Sequence, residues 1–220
     1  MNTAEDLLAV SAEIWDAYFR HPFVRGIQDG TLDKARFRFY LMQDALYLEE
    51  YAKVFALGAA KAESLSTALL FSEYLAAINR ERAVHGGYFE LLSVSEGELK
   101  TTARSLDNLS YTSYMLRVGY EGGEAEILAA ILSCAYSYEL IAKRMLAENP
   151  RAGSDPFYGA WVREYASAAY AAENEKLILA LNAVTESASP AEMQRLRDIF
   201  VNCSRYELAF WDMAWQQKKD

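Results

Sequence analysis

The stretch Phe37-Arg-Phe-Tyr-Leu-Met-Gln-Asp44-Ala-Leu-Tyr-Leu-Glu-Glu-Tyr51 decides how the rest of the chain is read. Its apolar residues fall at 37, 41, 48, 51 and 55, which is one face of an α-helix and not the two-residue alternation of a strand. Position 44 completes the series, and it is an aspartate. A carboxylate in the middle of an apolar, aromatic-rich stripe must be paired, protonated or turned toward a polar cavity, because burying it bare costs several kcal/mol. A satisfied core aspartate and a functional group both fit Asp44 alone. What decides between them is whether other stripes carry the same defect.

The surrounding composition favours helix throughout. The chain has 220 residues, 52% of them hydrophobic, with only 4 Pro and 11 Gly to break long elements. That length fills one core without requiring two domains, so residues 1–220 are read as a single domain. A net charge of −9 and the lack of a dense Lys/Arg stripe exclude a nucleic-acid partner. The acidic start has no signal-peptide pattern, and the longest uncharged apolar run, Ile127 to Tyr138, is well short of the ~20 residues of a membrane span. Two cysteines, Cys134 and Cys203, give no disulfide framework and fit a reducing cytoplasm. Tyrosine is the outlier, with 15 residues, and its ring plus hydroxyl suits a pocket for a flat polar molecule.

Taken in order, the first helix opens at Thr3 with Asp6 as its capping-box partner, buries Leu7, Val10, Ile14 and Tyr18, and ends at Pro22. Residues 23–30 read as a connector, and the Asp44 helix as 33–62, with Gly58 allowing another helix close. A third helix, capped by Ser64 or Ser66, runs to about 92 with Leu69, Tyr74 and Ile78 as core positions and a kink or break at Gly86-Gly87. Residues 93–105 read as a polar loop. Helices follow over 109–120 and 124–148, then from the Asp155-Pro156 cap to about 183, and from the Ser189-Pro190-Ala-Glu192 capping box to 217. The expectation is all-α, seven or eight helices on one core.

Two of these helices repeat the defect at Asp44. Residues Ile127, Ile131, Cys134, Tyr138, Ile141 and Met145 share a face whose centre is a thiol. Free cysteine is usually a small core filler, so Cys134 alone says little, and Cys203 is read as filler outright. On the last helix Met193, Leu196, Phe200, Cys203, Phe210 and Ala214 share a face whose one missing slot is Glu207. Glu207 alone also fits a partner for Arg205 or Arg117. Three helices that each place one reactive group in an apolar stripe suggest a shared desolvated cavity. A thiol with two carboxylates suits nucleophilic catalysis with proton transfer to a leaving group.

These residues also carry a resemblance. His21-Pro22-Phe23-Val-x-Gly-Ile-x-Asp-Gly-Thr31, Gln43-Asp44-x-x-Tyr47, Tyr111-Thr112-Ser113, Cys134-x-x-x-Tyr138 and Glu207-x-x-Phe210-Trp211-x-Met213-Ala214 occur in order over nearly the whole chain. Together they resemble the thiaminase II (TenA) family of aminopyrimidine aminohydrolases, in its cysteine-bearing branch. The resemblance implies a multi-helix bundle of the haem-oxygenase-like type without haem or metal, assembled as a cytoplasmic homotetramer. It implies hydrolysis of 4-amino-5-aminomethyl-2-methylpyrimidine to the 5-hydroxymethyl compound in thiamin salvage, with cleavage of thiamin itself as a further activity. It also implies that Cys134 is the nucleophile, that Glu207 gives and takes protons, and that Asp44 holds the amino-pyrimidine edge. Tyr47, Tyr111, Tyr138, Tyr165 and Phe210 then bind the ring. The competing reading is a non-catalytic module that binds a thiamin-related pyrimidine, or a regulatory protein that keeps the pocket. Haem oxygenation has only His21 as a ligand, pinned beside Pro22. A di-iron site has the Glu81–His85 pair but no second set.

Overall fold

The computed structural model describes residues 2–218. Ten α-helices form there: α1 (Thr3–Arg20), α2 (Pro22–Gln28), α3 (Lys34–Lys61), α4 (Leu65–Leu91), α5 (Glu96–Thr101), α6 (Leu106–Glu121), α7 (Glu124–Glu148), α8 (Gly159–Tyr165), α9 (Ala168–Val184) and α10 (Pro190–Gln216). A 3-10 turn at Ala152–Ser154 precedes α8, and no strand occurs among the described residues. The starts follow local chemistry. Asp33, Ser64, Ser95, Ser105, Ser167 and Ser189 each accept a bond from a first-turn N–H that lacks a helical partner.

The core organises around α7. Ile127 to Ala135 are buried without exception, so this helix is apolar all round, the mark of an element enclosed by others. It contacts α1, α2, α3, α6, α8, α9 and α10. Its length and mean hydropathy would suffice to cross a membrane, but 78% of the relevant window is buried inside the protein. Its buried carboxylate Glu139 is held by Lys143 at 2.6 Å and Asn174 at 2.7 Å, as a core charge must be. Around α7, α3 packs on α4 and α6, and α10 packs on α1 and α6. One contiguous apolar cluster links every helix except α5.

Several local expectations change. The first cap is Asn2 in a capping box with Glu5; Asp6 is instead clamped by Arg197 at 2.6 and 3.0 Å. The buried face of α1 carries Ala4, Leu7, Ser11, Trp15 and Tyr18, with Trp15 donating to the Ser204 hydroxyl at 3.0 Å, while Val10 is exposed. Pro22 ends α1 but also begins α2, where its fixed φ and missing N–H suit a first helical position. Residues expected as a connector and a loop thus include the short helices α2 and α5. Leu69 is exposed, and α4 runs unbroken through Gly86-Gly87. Asp155 bonds the N–H groups of Phe157 and Tyr158, so it caps a turn that leads into α8 rather than α8 itself.

Candidate active site

Asp44, Cys134 and Glu207 come from α3, α7 and α10, and the fold brings all three to one buried region. Asp44, Tyr47, Cys134, Tyr138 and Tyr165 stand in the wall of a cavity of about 60 Å³. Tyr51, Phe55, Tyr74, Ile78, Glu81, Tyr170 and Asn174 complete most of its lining. Glu207 lies one layer deeper, 1% exposed, against the side chains of Cys134, Tyr111 and Tyr138. Tyr111 and Phe210 are outside the cavity wall. Tyr111 packs on Tyr47 with centroids 5.2 Å apart, and Phe210 meets the rings of Tyr47 and Tyr40 edge-on.

The rings are fixed by one another. Tyr47 stacks on Tyr51 at 5.1 Å along α3, and Tyr138 meets Tyr165 at 4.8 Å. Behind them Trp161 donates its indole N–H to the Tyr40 hydroxyl at 3.4 Å, and Tyr40 donates to the Tyr138 hydroxyl at 3.3 Å. Tyr138 in turn favours the Glu207 anion. A chain of polar atoms therefore leads from the core to the carboxylate, each member oriented by the one before it. The Tyr111 hydroxyl is buried without a well-aligned partner among the protein atoms, as is one oxygen of Asp44. Each has a titratable neighbour instead, Glu207 beside Tyr111 and His85 beside Asp44 Oδ2.

Burial sets the protonation states. It pushes Glu207 up to about 8; Tyr111, Cys134 and Tyr138 moderate the rise, and the Asp44 charge adds to it. Such a carboxyl exchanges protons readily near neutral pH. Burial, with Glu207 next, holds the Cys134 thiol well above its ordinary range, so its proton must leave as the sulfur attacks. Cys203 is fully buried beside Ser133 and Glu207 and is also raised, chiefly by burial.

Among the residues not expected at the site, Glu81 and His85 carry its remaining charge chemistry. Glu81 of α4 stands in the cavity wall and accepts the Tyr165 hydroxyl at 2.5 Å. His85, one turn on, sets its Nε2 3.1 Å from Asp44 Oδ2, with both side chains buried. Burial works against the imidazolium, but the Asp44 contact and charge, joined by Glu81, hold the His85 pKa above its ordinary value. The signal was available. Tyr74, Ile78, Glu81, His85 and Tyr88 form a stripe of alternating fours and threes with two polar members, the same defect seen on α3, α7 and α10. Asp44, Glu81 and His85 also offer donor atoms within 4.8 Å of one another, the spacing a metal ion needs. Two of the three already face each other as an ion pair and the third is bonded by Tyr165, so the protein itself supplies their partners.

The chain is thus an all-helical bundle with a thiol, buried carboxyls and a tyrosine-walled cavity at its core. Residues 9–217 match the TENA/THI-4/PQQC family, and the chain belongs to that family. It is 42% identical over 98% of its length, and all of the relative's, to a Helicobacter pylori aminopyrimidine aminohydrolase. To the protein of the same name from Halalkalibacterium halodurans it is 40% identical, covering 99% of this chain and 97% of the relative. Among solved structures, a TenA homologue from P. horikoshii superposes with a TM-score of 0.87 at 31% identity, over 98% of this chain and 99% of that one. A Shewanella denitrificans domain with a haem oxygenase-like fold reaches 0.73 at 14% identity, over 99% of this chain and 93% of that one, a likeness of fold alone. The fold is of the haem-oxygenase-like type.

Proposed function

We propose that this enzyme, a hydrolase, acts on 4-amino-5-aminomethyl-2-methylpyrimidine and releases the 5-hydroxymethyl pyrimidine and ammonia, a thiamin-salvage reaction. The observation that carries the reading is that Cys134 stands in the wall of a tyrosine-lined cavity beside Asp44, with Glu207 buried directly behind its thiol. The names of the curated relatives support it.

In the proposed mechanism Cys134 gives its proton to the Glu207 carboxylate while its sulfur bonds to C6 of the ring. The C6–N1 π pair moves to N1, which takes up a proton. Asp44 then removes a proton from the 4-amino group. The freed electrons run through C4 and C5 to expel the side-chain amine, which Glu207 protonates as it leaves. Water adds to the exocyclic methylene and returns a proton to Glu207, and Asp44 returns its proton to the 4-nitrogen. Release of the thiol restores the ring. Tyr47, Tyr138 and Tyr165 confine the ring plane, with Tyr111 and Phe210 buttressing from behind. Thiamin fits the same chemistry, with its thiazolium as leaving group. A homotetramer in the cytoplasm completes the reading; the exposed Leu65 and Leu69 on α4 support self-association, and light scattering of the eluted protein tests it.

Ammonia release from the aminomethyl pyrimidine tests the reaction. Wild type turns it over, and Cys134→Ser loses kcat by on the order of 10³-fold while its helical circular dichroism is unchanged. Equal rates for the two proteins would remove Cys134 from the mechanism. Binding without turnover by wild type would leave a pyrimidine-binding module.

A further inference from the structure

The mechanism requires a proton at ring nitrogen N1 when sulfur adds, and Glu207 is then occupied with the thiol proton. We propose that Glu81 and Tyr165 form a second acid of the site, a carboxyl–phenol pair that delivers this proton and takes it back. The proposal rests on the hydrolase reading above. Its ground is geometric: Glu81 stands in the cavity wall, the Tyr165 hydroxyl is bonded to it at 2.5 Å, and Tyr165 stands in the same wall.

Position separates the two acids. Asp44 raises both Glu81 and Glu207, so it stands within reach of each. Glu207 lies behind the wall against Cys134, whereas Glu81 stands in the wall itself and is bonded by Tyr165. A ring held at its amino edge by Asp44 and attacked by Cys134 has its aminomethyl carbon and N1 on opposite sides of the attacked carbon. Glu207 serves the first and the Glu81–Tyr165 pair the second.

The step balances. When Glu81 is protonated, its O–H bonds the Tyr165 oxygen and frees the phenol proton. The S–C6 bond forms, the C6–N1 π pair becomes a lone pair on N1, and N1 takes the phenol proton while Tyr165 takes that of Glu81. When the thiol leaves, the two transfers run backwards. Burial and the Asp44 charge push Glu81 up to about 7, against the pull of His85 and the Tyr165 bond, so the acid form is available near neutrality. The titratable groups facing it are Asp44, Tyr40 and Tyr51 from α3, His85 on its own helix, Cys134 from α7, Glu164 and Tyr165 from α8, and Tyr170 from α9.

Glu81→Gln tests this, because the amide keeps the shape and still accepts from Tyr165 but carries no acidic proton. The expected result is a kcat lowered about 100-fold with KM little changed, and loss of the alkaline limb of the pH profile. Tyr165→Phe loses a similar factor, and the double variant loses no more than either alone, as for groups acting in one relay. Wild-type kcat and an intact alkaline limb in Glu81→Gln would overturn the proposal, as would fully additive losses. A second readout needs no turnover: the ultraviolet spectrum of the bound 5-hydroxymethyl pyrimidine reports ring protonation. Wild type is expected to bind the protonated ring at a pH where free ligand is neutral, and Glu81→Gln the neutral ring. A wild type that shows this shift without hydrolysing the aminomethyl compound would refute the hydrolase reading alone. Turnover with a neutral ring in both proteins would refute the second acid alone.

Discussion

His85 Nε2 lies 3.1 Å from Asp44 Oδ2 across the α3–α4 contact, and both side chains are buried. The pair is a charge contact without a well-aligned hydrogen bond, and it turns one oxygen of the proposed recognition carboxylate toward α4. In the proposed reaction His85 therefore positions Asp44.

Removing one member of a buried pair strands the other, which costs more than the pair itself contributes. His85→Ala is expected to lower stability by roughly 3 kcal/mol or more, measured by chemical denaturation. The pH dependence has a definite sign. A histidine whose folded pKa exceeds its unfolded value contributes fully below the ordinary imidazole range and loses that contribution as pH rises through the folded value. The stability gap between wild type and His85→Ala should narrow as the pH is raised above neutrality. A gap that widens would mean that His85 is neutral in the folded protein.

Glu207 ties stability to catalysis in the opposite residue class. Its folded pKa, about 8, exceeds that of an unfolded carboxyl, so folding is favoured while it is protonated and penalised as pH rises toward that value. Glu207→Gln removes the penalty. The variant should melt higher than wild type at about pH 9 and show little gain at about pH 5, while kcat falls on the order of 10²-fold or more. Equal melting curves at the higher pH would mean that Glu207 ionises without cost.

A third prediction concerns the acid and base together. The proposed mechanism needs Glu207 ionised and Glu81 protonated, and the two are pushed up to about 8 and about 7. The profile of kcat/KM against pH should rise to about 7, stay level to about 8, and fall beyond. The pair reports macroscopic values, so the breaks belong to the site as a whole. A profile that climbs without a fall through pH 10 would remove the acid partner.

The fold was legible because long helices advertise themselves. The 3.6-residue period runs through α3, α7 and α10 over seven turns each, and serine or aspartate caps mark most starts. α2 and α5, at seven and six residues, are too short for a periodic signal, and they form because neighbours and caps hold them. Val10 and Leu69 were misplaced because a single apolar residue on a surface costs little, so apolarity alone does not fix a face. In the site, Asp44, Cys134 and Glu207 were readable as faults in apolar stripes. Glu81 and His85 carry the same fault but come as a pair on a helix whose outer face is also apolar, which blurred the stripe. That Tyr111 and Phe210 stand behind the wall rather than in it depends on helix rotation, and no one-dimensional pattern holds that.

Two glycines near the ends of α3 and α4 should respond to alanine with opposite signs. Gly58 lies where α3 meets α4, and a Cβ there would sit 2.5–2.7 Å from three ring carbons of Phe71, which is itself fully buried. The ring has no room to yield, so Gly58→Ala should cost about 1–3 kcal/mol through forced separation of the helices. Gly87 is exposed on an unbroken stretch of α4, and a Cβ there meets nothing within 4 Å. Gly87→Ala should stabilise the protein by about 0.5–1 kcal/mol, because alanine loses less backbone entropy on entering a helix. The same substitution also tests whether α4 must bend. If Gly87→Ala folds more stably and keeps full turnover, the Gly86-Gly87 pair is no hinge and α4 carries Glu81 and His85 as a rigid rod. Lost turnover with raised stability would mean that α4 flexes here when substrate enters.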